Sequence, residues 1–166
     1  MLSGKSVKWF ILAIFSKHPA YLRWRYLKAL RLSEYYRVLS KENYLFTIPF
    51  LYYSRNKNDL GIQLGYEIES RNIQPGLVLF HNGPIIIHGN SIIGKNCKLH
   101  GDNCIGNNGI SDLCPVIGDN VDVGVGAKII GGIRIADDVK IGAGAVVVKD
   151  CFTPGATLVG VPAREL

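Results

Sequence analysis

Between Ile93 and Val147 an aliphatic residue returns at every sixth position, at Ile93, Leu99, Ile105, Ile117, Val123, Ile129, Ile135, Ile141 and Val147, and the series fails only at Ser111. Four positions after most of these anchors stands a small or apolar residue: Cys97, Gly109, Val121, Ala127, Ile133, Val139, Ala145 and Cys151. A period of six fits neither a helix, which repeats about every 3.6 residues, nor the simple alternation of a strand. It calls for short strands joined by regular corners. Gly, Asn and Asp crowd the positions between anchors (Gly94, Asn96, Gly118, Asp119, Asn120, Gly124, Gly126, Gly142, Gly144), where a corner needs positive φ or local side-chain bonding. Three such units make a turn of about eighteen residues, and stacked turns bury their aliphatic columns as one core.

With 48% hydrophobic and 19% charged residues over 166 positions, the chain is too apolar for disorder and long enough for one modest domain with an appendage. Its net charge of +6 is unevenly placed, since residues 1–58 hold eleven Lys and Arg against Glu34 and Glu42, and the remainder holds eight against eleven acids. This separates a basic, aromatic-rich, helical N-terminal segment, residues 1–60, from a repeat domain, residues 61–166.

In the first segment, Trp9 to Phe15 is an apolar run preceded by Lys5 and Lys8 and closed by Lys17. It is too short to span a bilayer and lacks the small-x-small pattern of a cleaved export signal. Pro19 suits the first turn of a helix, and Tyr21 to Leu39 sets Leu22, Tyr26, Ala29, Leu30 and Tyr36 on one stripe with Arg23, Arg25, Lys28, Arg31 and Arg37 elsewhere. A second apolar stretch, Tyr44 to Tyr53, contains Pro49, and the polar cluster Ser54 to Asp59 reads as a break before the next domain. Two roles fit this basic amphipathic segment. It can cap the coil and bind a partner subunit, or residues 1–40 can meet an anionic membrane surface. Nucleic acid is not expected, because no recognised motif accompanies the charge. Cys97, Cys104, Cys114 and Cys151 form no metal-type pair, and Cys97 and Cys151 fall at core positions of the repeat. The expectation is a reduced, cytoplasmic protein, peripheral at the inner face of the membrane if the lipid role holds.

Ahead of the main series, Ile73, Leu79 and Ile85 keep the period of six in a phase two residues off, and an eight-residue step from Ile85 to Ile93 joins the two. Irregular coils are where a repeat scaffold can carry a site. There stand His81, in His81-Asn82-Gly83-Pro84, and Glu67, in Gly65-Tyr66-Glu67-Ile68. A neutral imidazole can take a proton near neutrality, and a carboxylate that fixes its tautomer makes such a pair a candidate for acid–base chemistry.

The hexapeptides, the His81 segment and the ending Pro154-Gly155-Ala156-Thr157-Leu158-Val159-Gly160-Val161-Pro162-Ala163-Arg164 resemble those of serine acetyltransferases and of the related O-acetyltransferases of polysaccharide synthesis. The resemblance covers residues 61–166 well. It implies a mainly β fold, a left-handed parallel β-helix with an N-terminal α-helical segment, assembled as a homotrimer and using acetyl-CoA as co-substrate. By the same resemblance His81 is the general base and Glu67 the carboxylate that orients it. Asn82, His100 and Cys114 fall to the acceptor site, and Asn107, Val125, Gly126, Ala143, Gly144, Lys149 and Arg164 to the coenzyme. No metal is implied: hexapeptide carbonic anhydrases carry two histidines five positions apart, and no such pair occurs here.

Two departures bear on the acceptor. Phe80 stands where serine acetyltransferases have an aspartate that holds the serine amino group, and Cys114-Pro115 where they have His-Pro. A saccharide hydroxyl, free or lipid-linked, is therefore the expected acceptor, with serine O-acetyl transfer as the alternative and a non-catalytic hexapeptide scaffold as a third reading.

Overall fold

A computed structural model of the chain describes residues 6–69 and 71–166, which fall into two compact units divided between Leu64 and Gly65. Lys5 lies outside the described residues.

The first unit is helical: α1 (Val7–Phe15), α2 (Pro19–Glu42), a single 3-10 turn (Tyr44–Phe46) and α3 (Thr47–Leu64). The entries of α1 and α2 are each capped by a side chain that satisfies an otherwise unpaired amide. Ser6 Oγ accepts from the Trp9 amide at 3.3 Å, and His18 Nδ1 accepts from the Ala20 amide at 3.2 Å, with Pro19 as the first helical residue of α2. The expected stripe of α2 is the buried one, at Leu22, Tyr26, Ala29 and Leu30, while Tyr36 stacks face to face on Tyr53 of α3 at 5.5 Å. The expected break at Ser54–Asp59 does not occur, because α3 runs through it. Pro49 is the third residue of that helix, where an amide would have no intrahelical partner, and the polar cluster winds round it at exposed and half-buried positions before Leu60 and Leu64, which are buried one turn apart. Gly61 is thus helical, and the boundary expected after residue 60 moves to Gly65, whose φ of +82° ends the helix as only glycine does without strain. Among the described residues no helix is long and apolar enough to cross a membrane.

The second unit is a parallel β-solenoid of about five turns with three faces. The first face stacks Tyr66–Ile68, Ile85–Ile87, Asn103–Gly106, Lys128–Ile130 and Val146–Val147; the second stacks Asn72–Ile73, Ile92–Ile93, Val116–Ile117 and Arg134–Ile135. The third stacks Val78–Leu79, Lys98–Leu99, Asp122–Val123, Lys140–Ile141 and Thr157–Gly160, and the antiparallel strand Ala163–Glu165 closes it. The anchors form three buried columns: Ile68, Ile87, Ile105, Ile129 and Val147; Ile73, Ile93, Ile117 and Ile135; Leu79, Leu99, Val123, Ile141 and Leu158.

Two irregularities fall elsewhere than expected. Ile87, not Ile85, pairs with Ile105 and stands six positions before Ile93, while Ile85 faces Asn103. The two additional residues therefore lie between Leu79 and Ile87, in the corner that carries His81, and not between Ile85 and Ile93. Both isoleucines are fully buried, so alternation along the strand hid the phase in the sequence. Ser111 is likewise not a failed side of the prism. Ile105 and Ile117 occupy consecutive faces although twelve positions apart, and the six surplus residues belong to a mostly exposed loop around Ser111.

Side chains tie the corners between the second and third faces. Asn96, Asn120 and Asp138 all adopt positive φ (54°, 58° and 61°), and their side chains form a ladder, Asn96 Nδ2 donating to Asn120 Oδ1 at 3.2 Å and Asn120 Nδ2 to Asp138 Oδ1 at 3.0 Å.

Candidate active site

The corner Phe80–Pro84 leads from the third face to the first, and its two additional residues let it stand out from the stack. It is held from the coil above at two points. The buried Tyr66 hydroxyl donates to the His81 carbonyl oxygen at 2.8 Å, and Gly65 packs so closely that a Cβ there would lie 2.9 Å from the Gly83 carbonyl carbon. Sequence reasoning passed over Tyr66. Its signal was a hydroxylated aromatic at an inward position, two residues before the anchor Ile68, where a buried hydroxyl needs a partner.

His81 and Asn82 are exposed. Among the described residues the His81 ring has no hydrogen-bond partner. Glu67 lies one coil before it on the outer side of the first face, in register with Ile86, and no hydrogen bond joins its carboxylate to His81. The carboxylate–imidazole pair that the structure does contain involves His100. Its Nε2 lies 2.8 Å from Asp122 Oδ1, and its ring stacks under Phe80 at 4.4 Å and 17°. Lys98 Nζ approaches the other Asp122 oxygen at 3.8 Å. Nothing in the six-residue period singled out Asp122, because its partner is 22 residues away.

The same prism edge continues below through Gly124-Val125-Gly126 and Gly142-Ala143-Gly144, one turn apart. The Gly126 amide donates to Gly101 O at 2.9 Å and the Gly144 amide to Val125 O at 2.8 Å. Val125 is half exposed, Ala143 and Gly144 are exposed, and a Cβ on Gly144 would meet nothing within 4 Å. The strip offers open backbone to a narrow ligand, and Arg164, paired in register with Val159, stands exposed near its lower end.

The remaining candidates occupy a different edge, between the first and second faces. Cys114 Sγ lies 3.1 Å from His88 Nδ1, which also accepts from the Asn90 amide at 3.2 Å, so this nitrogen bears the lone pair and the thiol donates to it. Asn107 Oδ1 accepts from the Gly109 amide at 3.3 Å and shapes the exposed loop, and Lys149 projects from the lowest corner. Within one chain, Asn107, Cys114 and Lys149 are thus set apart from His81 by the width of the first face. Cys97 is part of the core: burial pushes its thiol up to about 11, and Sγ donates to Gly118 O at 3.2 Å. Among the described residues no group of three or more His, Cys, Asp or Glu could hold a metal ion.

Fold and corner geometry together define a hexapeptide-repeat solenoid with an exposed histidine, His81, at the head of one edge, and comparison with known proteins narrows the class. No family model matches the chain. It is similar to serine acetyltransferases, 35% identical to that of Synechococcus elongatus over 93 residues (55% of this chain, 38% of the relative) and 37% identical to that of Helicobacter pylori over 105 residues (61% of each). The chain spans less than two thirds of the length of either relative. Among solved structures, serine acetyltransferase from Neisseria gonorrhoeae in complex with serine superposes with a TM-score of 0.64 at 30% identity, over 84% of this chain and 54% of that one. A serine acetyltransferase solved with CoA shares the fold, with a TM-score of 0.66 at 24% identity over 85% of this chain and 55% of its own.

Proposed function

We propose that the chain is an acetyl-CoA-dependent O-acetyltransferase in which His81 is the general base and serine the acceptor. The observation that carries this reading is the placement of an exposed, unpartnered imidazole at the head of an edge whose lower corners are stripped to small residues. As the acceptor oxygen attacks the thioester carbonyl, His81 takes its proton, and the same proton is then available to the departing thiolate. The expected saccharide acceptor finds no support among the similar proteins, which are serine acetyltransferases, so the alternative reading replaces it. Phe80 and Cys114 remain departures. They make the identity of the acceptor the point to test, by following acetyl-CoA consumption with serine, sugars and nucleotide sugars. Turnover with serine well above the rest supports the reading, and turnover with a sugar alone overturns its acceptor.

Coenzyme recognition in this proposal uses Val125, Gly126, Ala143, Gly144 and Arg164 on the His81 edge, with Asn107 and Lys149 supplied by the other edge of a neighbouring subunit, which also brings its Cys114 toward the acceptor. The separation of the two groups by one face favours a cyclic homotrimer, in which one chain's His81 edge meets the next chain's Cys114 edge. Sedimentation of an active monomer would refute this.

A peripheral membrane role for residues 1–40 stands as a further part of the proposal. It is supported by α1, which leaves Val7, Ile11, Leu12 and Phe15 exposed with Lys8 beside them and Lys17 just beyond its end. Co-sedimentation with anionic vesicles, lost on adding salt, supports it, and indifference to such vesicles at low salt removes it.

A further inference from the structure

The acetyl-transfer reading leaves a second imidazole at the same corner without a task. The strands Val78–Leu79 and Lys98–Leu99 pair in parallel register, so His100 lies directly below Phe80 and Gly101 directly below His81. A Cβ on Gly101 would stand 3.5 Å from His81 Cβ, in contact with it. With strands spaced about 4.8 Å apart and successive Cα atoms about 3.8 Å apart, the His81 and His100 backbones are diagonal neighbours separated by roughly 6 Å.

His100 is held in place on two sides. Phe80 covers one face of the ring at 4.4 Å, and Asp122 Oδ1 meets Nε2 at 2.8 Å. A carboxylate can only accept, so Nε2 carries the hydrogen and Nδ1 carries the lone pair. Among the described residues Nδ1 has no partner, and about a third of the side chain is open to solvent, at 34%. An orienting stack and a tautomer-setting carboxylate on a part-exposed histidine are more than packing requires, and together they present one hydrogen-bond acceptor beside the base. The charged and titratable groups facing it are Asp122 and Lys98, His81 from the corner above, and Lys140, which pairs in register with Asp122 from the coil below. Asp102, two residues on, is engaged by Lys128 at 3.5 Å.

We infer that His100 is a specificity-determining residue whose Nδ1 accepts a hydrogen bond from the amino group of a β-hydroxy amino acid while His81 takes the proton of the hydroxyl on the neighbouring carbon. The inference rests on the reading of His81 as base and of serine as acceptor. Phe80 offers no polar atom at this corner, and the imidazole backed by Asp122 is the acceptor that an ammonium group meets. Protonation of His100 converts Nδ1 into a donor and abolishes the interaction.

The test compares serine with 3-hydroxypropanoate, which keeps the hydroxyl and the carboxylate and lacks the amine. His100→Ala is expected to raise the serine KM about ten- to a hundredfold with kcat within about threefold, and to leave 3-hydroxypropanoate unaffected, so that discrimination between the two collapses. His100→Gln, whose amide oxygen can accept and cannot titrate, is expected to recover much of the serine affinity. Serine binding by calorimetry, which needs no turnover, separates the two readings. If His81→Ala turns over normally while both His100 variants shift serine binding as described, the base assignment fails and the His100 inference survives. Equal serine affinity in wild type and His100→Ala, or no measurable serine binding by the wild type, overturns the His100 inference whatever His81 does.

Discussion

The edge that joins the third face to the first contains two kinds of corner. In the lower ones, Gly124–Gly126 and Gly142–Gly144, the first glycine answers to the neighbouring coil: a Cβ on Gly124 would stand 2.7 Å from the Ala143 amide nitrogen, and one on Gly142 3.0 Å from Val159 Cγ1. In the upper one, Phe80–Pro84, a Cβ on Gly83 would meet nothing within 4 Å, and its glycine answers only to its own φ of +122°. Regular corners are therefore constrained by stacking. The corner with two additional residues escapes that constraint at Gly83, although Gly65 and Gly101 still pack against it, and that is where a histidine, an aromatic ring and an amide side chain can be displayed. Stability and chemistry share one edge at different heights.

The contrast is broken most directly at His81. Replacement by alanine should lower kcat about a hundred- to ten-thousandfold without lowering the melting temperature, because the side chain makes no internal contact that folding needs. A variant with near-normal kcat removes His81 from the role. The opposite behaviour is expected below. Gly124→Ala should destabilise the coil by about 1–3 kcal/mol in urea denaturation, since backbone is all that can move, whereas Gly83→Ala should cost only the left-handed backbone penalty of about 1 kcal/mol. Equal losses at the two glycines would erase the distinction between the corners.

Tyr66→Phe sharpens the comparison by loosening the upper corner from behind. Loss of its bond to the His81 carbonyl should cost about 1 kcal/mol of stability and lower kcat severalfold with KM little changed. Glu67→Gln should change kcat less than His81→Ala does, as no hydrogen bond links the two side chains. A loss as large as that of His81→Ala would mean that Glu67 reaches the imidazole once substrates are bound.

The smallest effect concerns the core. Burial raises the Cys97 thiol from 9.0 to about 11, so its contribution to stability is complete below pH 9 and is lost as pH climbs toward 11, where the unfolded chain ionises first. A Cys97→Ala variant should show a shallower alkaline loss in thermal melts than the wild type, with its activity profile unchanged.

The six-residue period, the three aliphatic columns and the helical stripe of α2 were legible in the chain itself. Each arises from burial that recurs over a few residues. The polar run Ser54–Asp59 misled because a helix can carry consecutive polar residues where none of them has to be buried, and the buried leucines that hold it follow at Leu60 and Leu64. What only the tertiary structure decided are contacts between coils. Tyr66 meets His81 at a separation of 15 residues, His100 meets Asp122 at 22, and His88 meets Cys114 at 26, none of which is the eighteen of a regular turn. Stacking register is the running sum of every corner's length. Until the two extra residues at Phe80–Pro84 and the six extra ahead of Ile117 were assigned to their corners, no local pattern could say which side chains share an edge. That is why Asn107, Cys114 and Lys149, grouped with the His81 site by resemblance, stand on another edge of the chain.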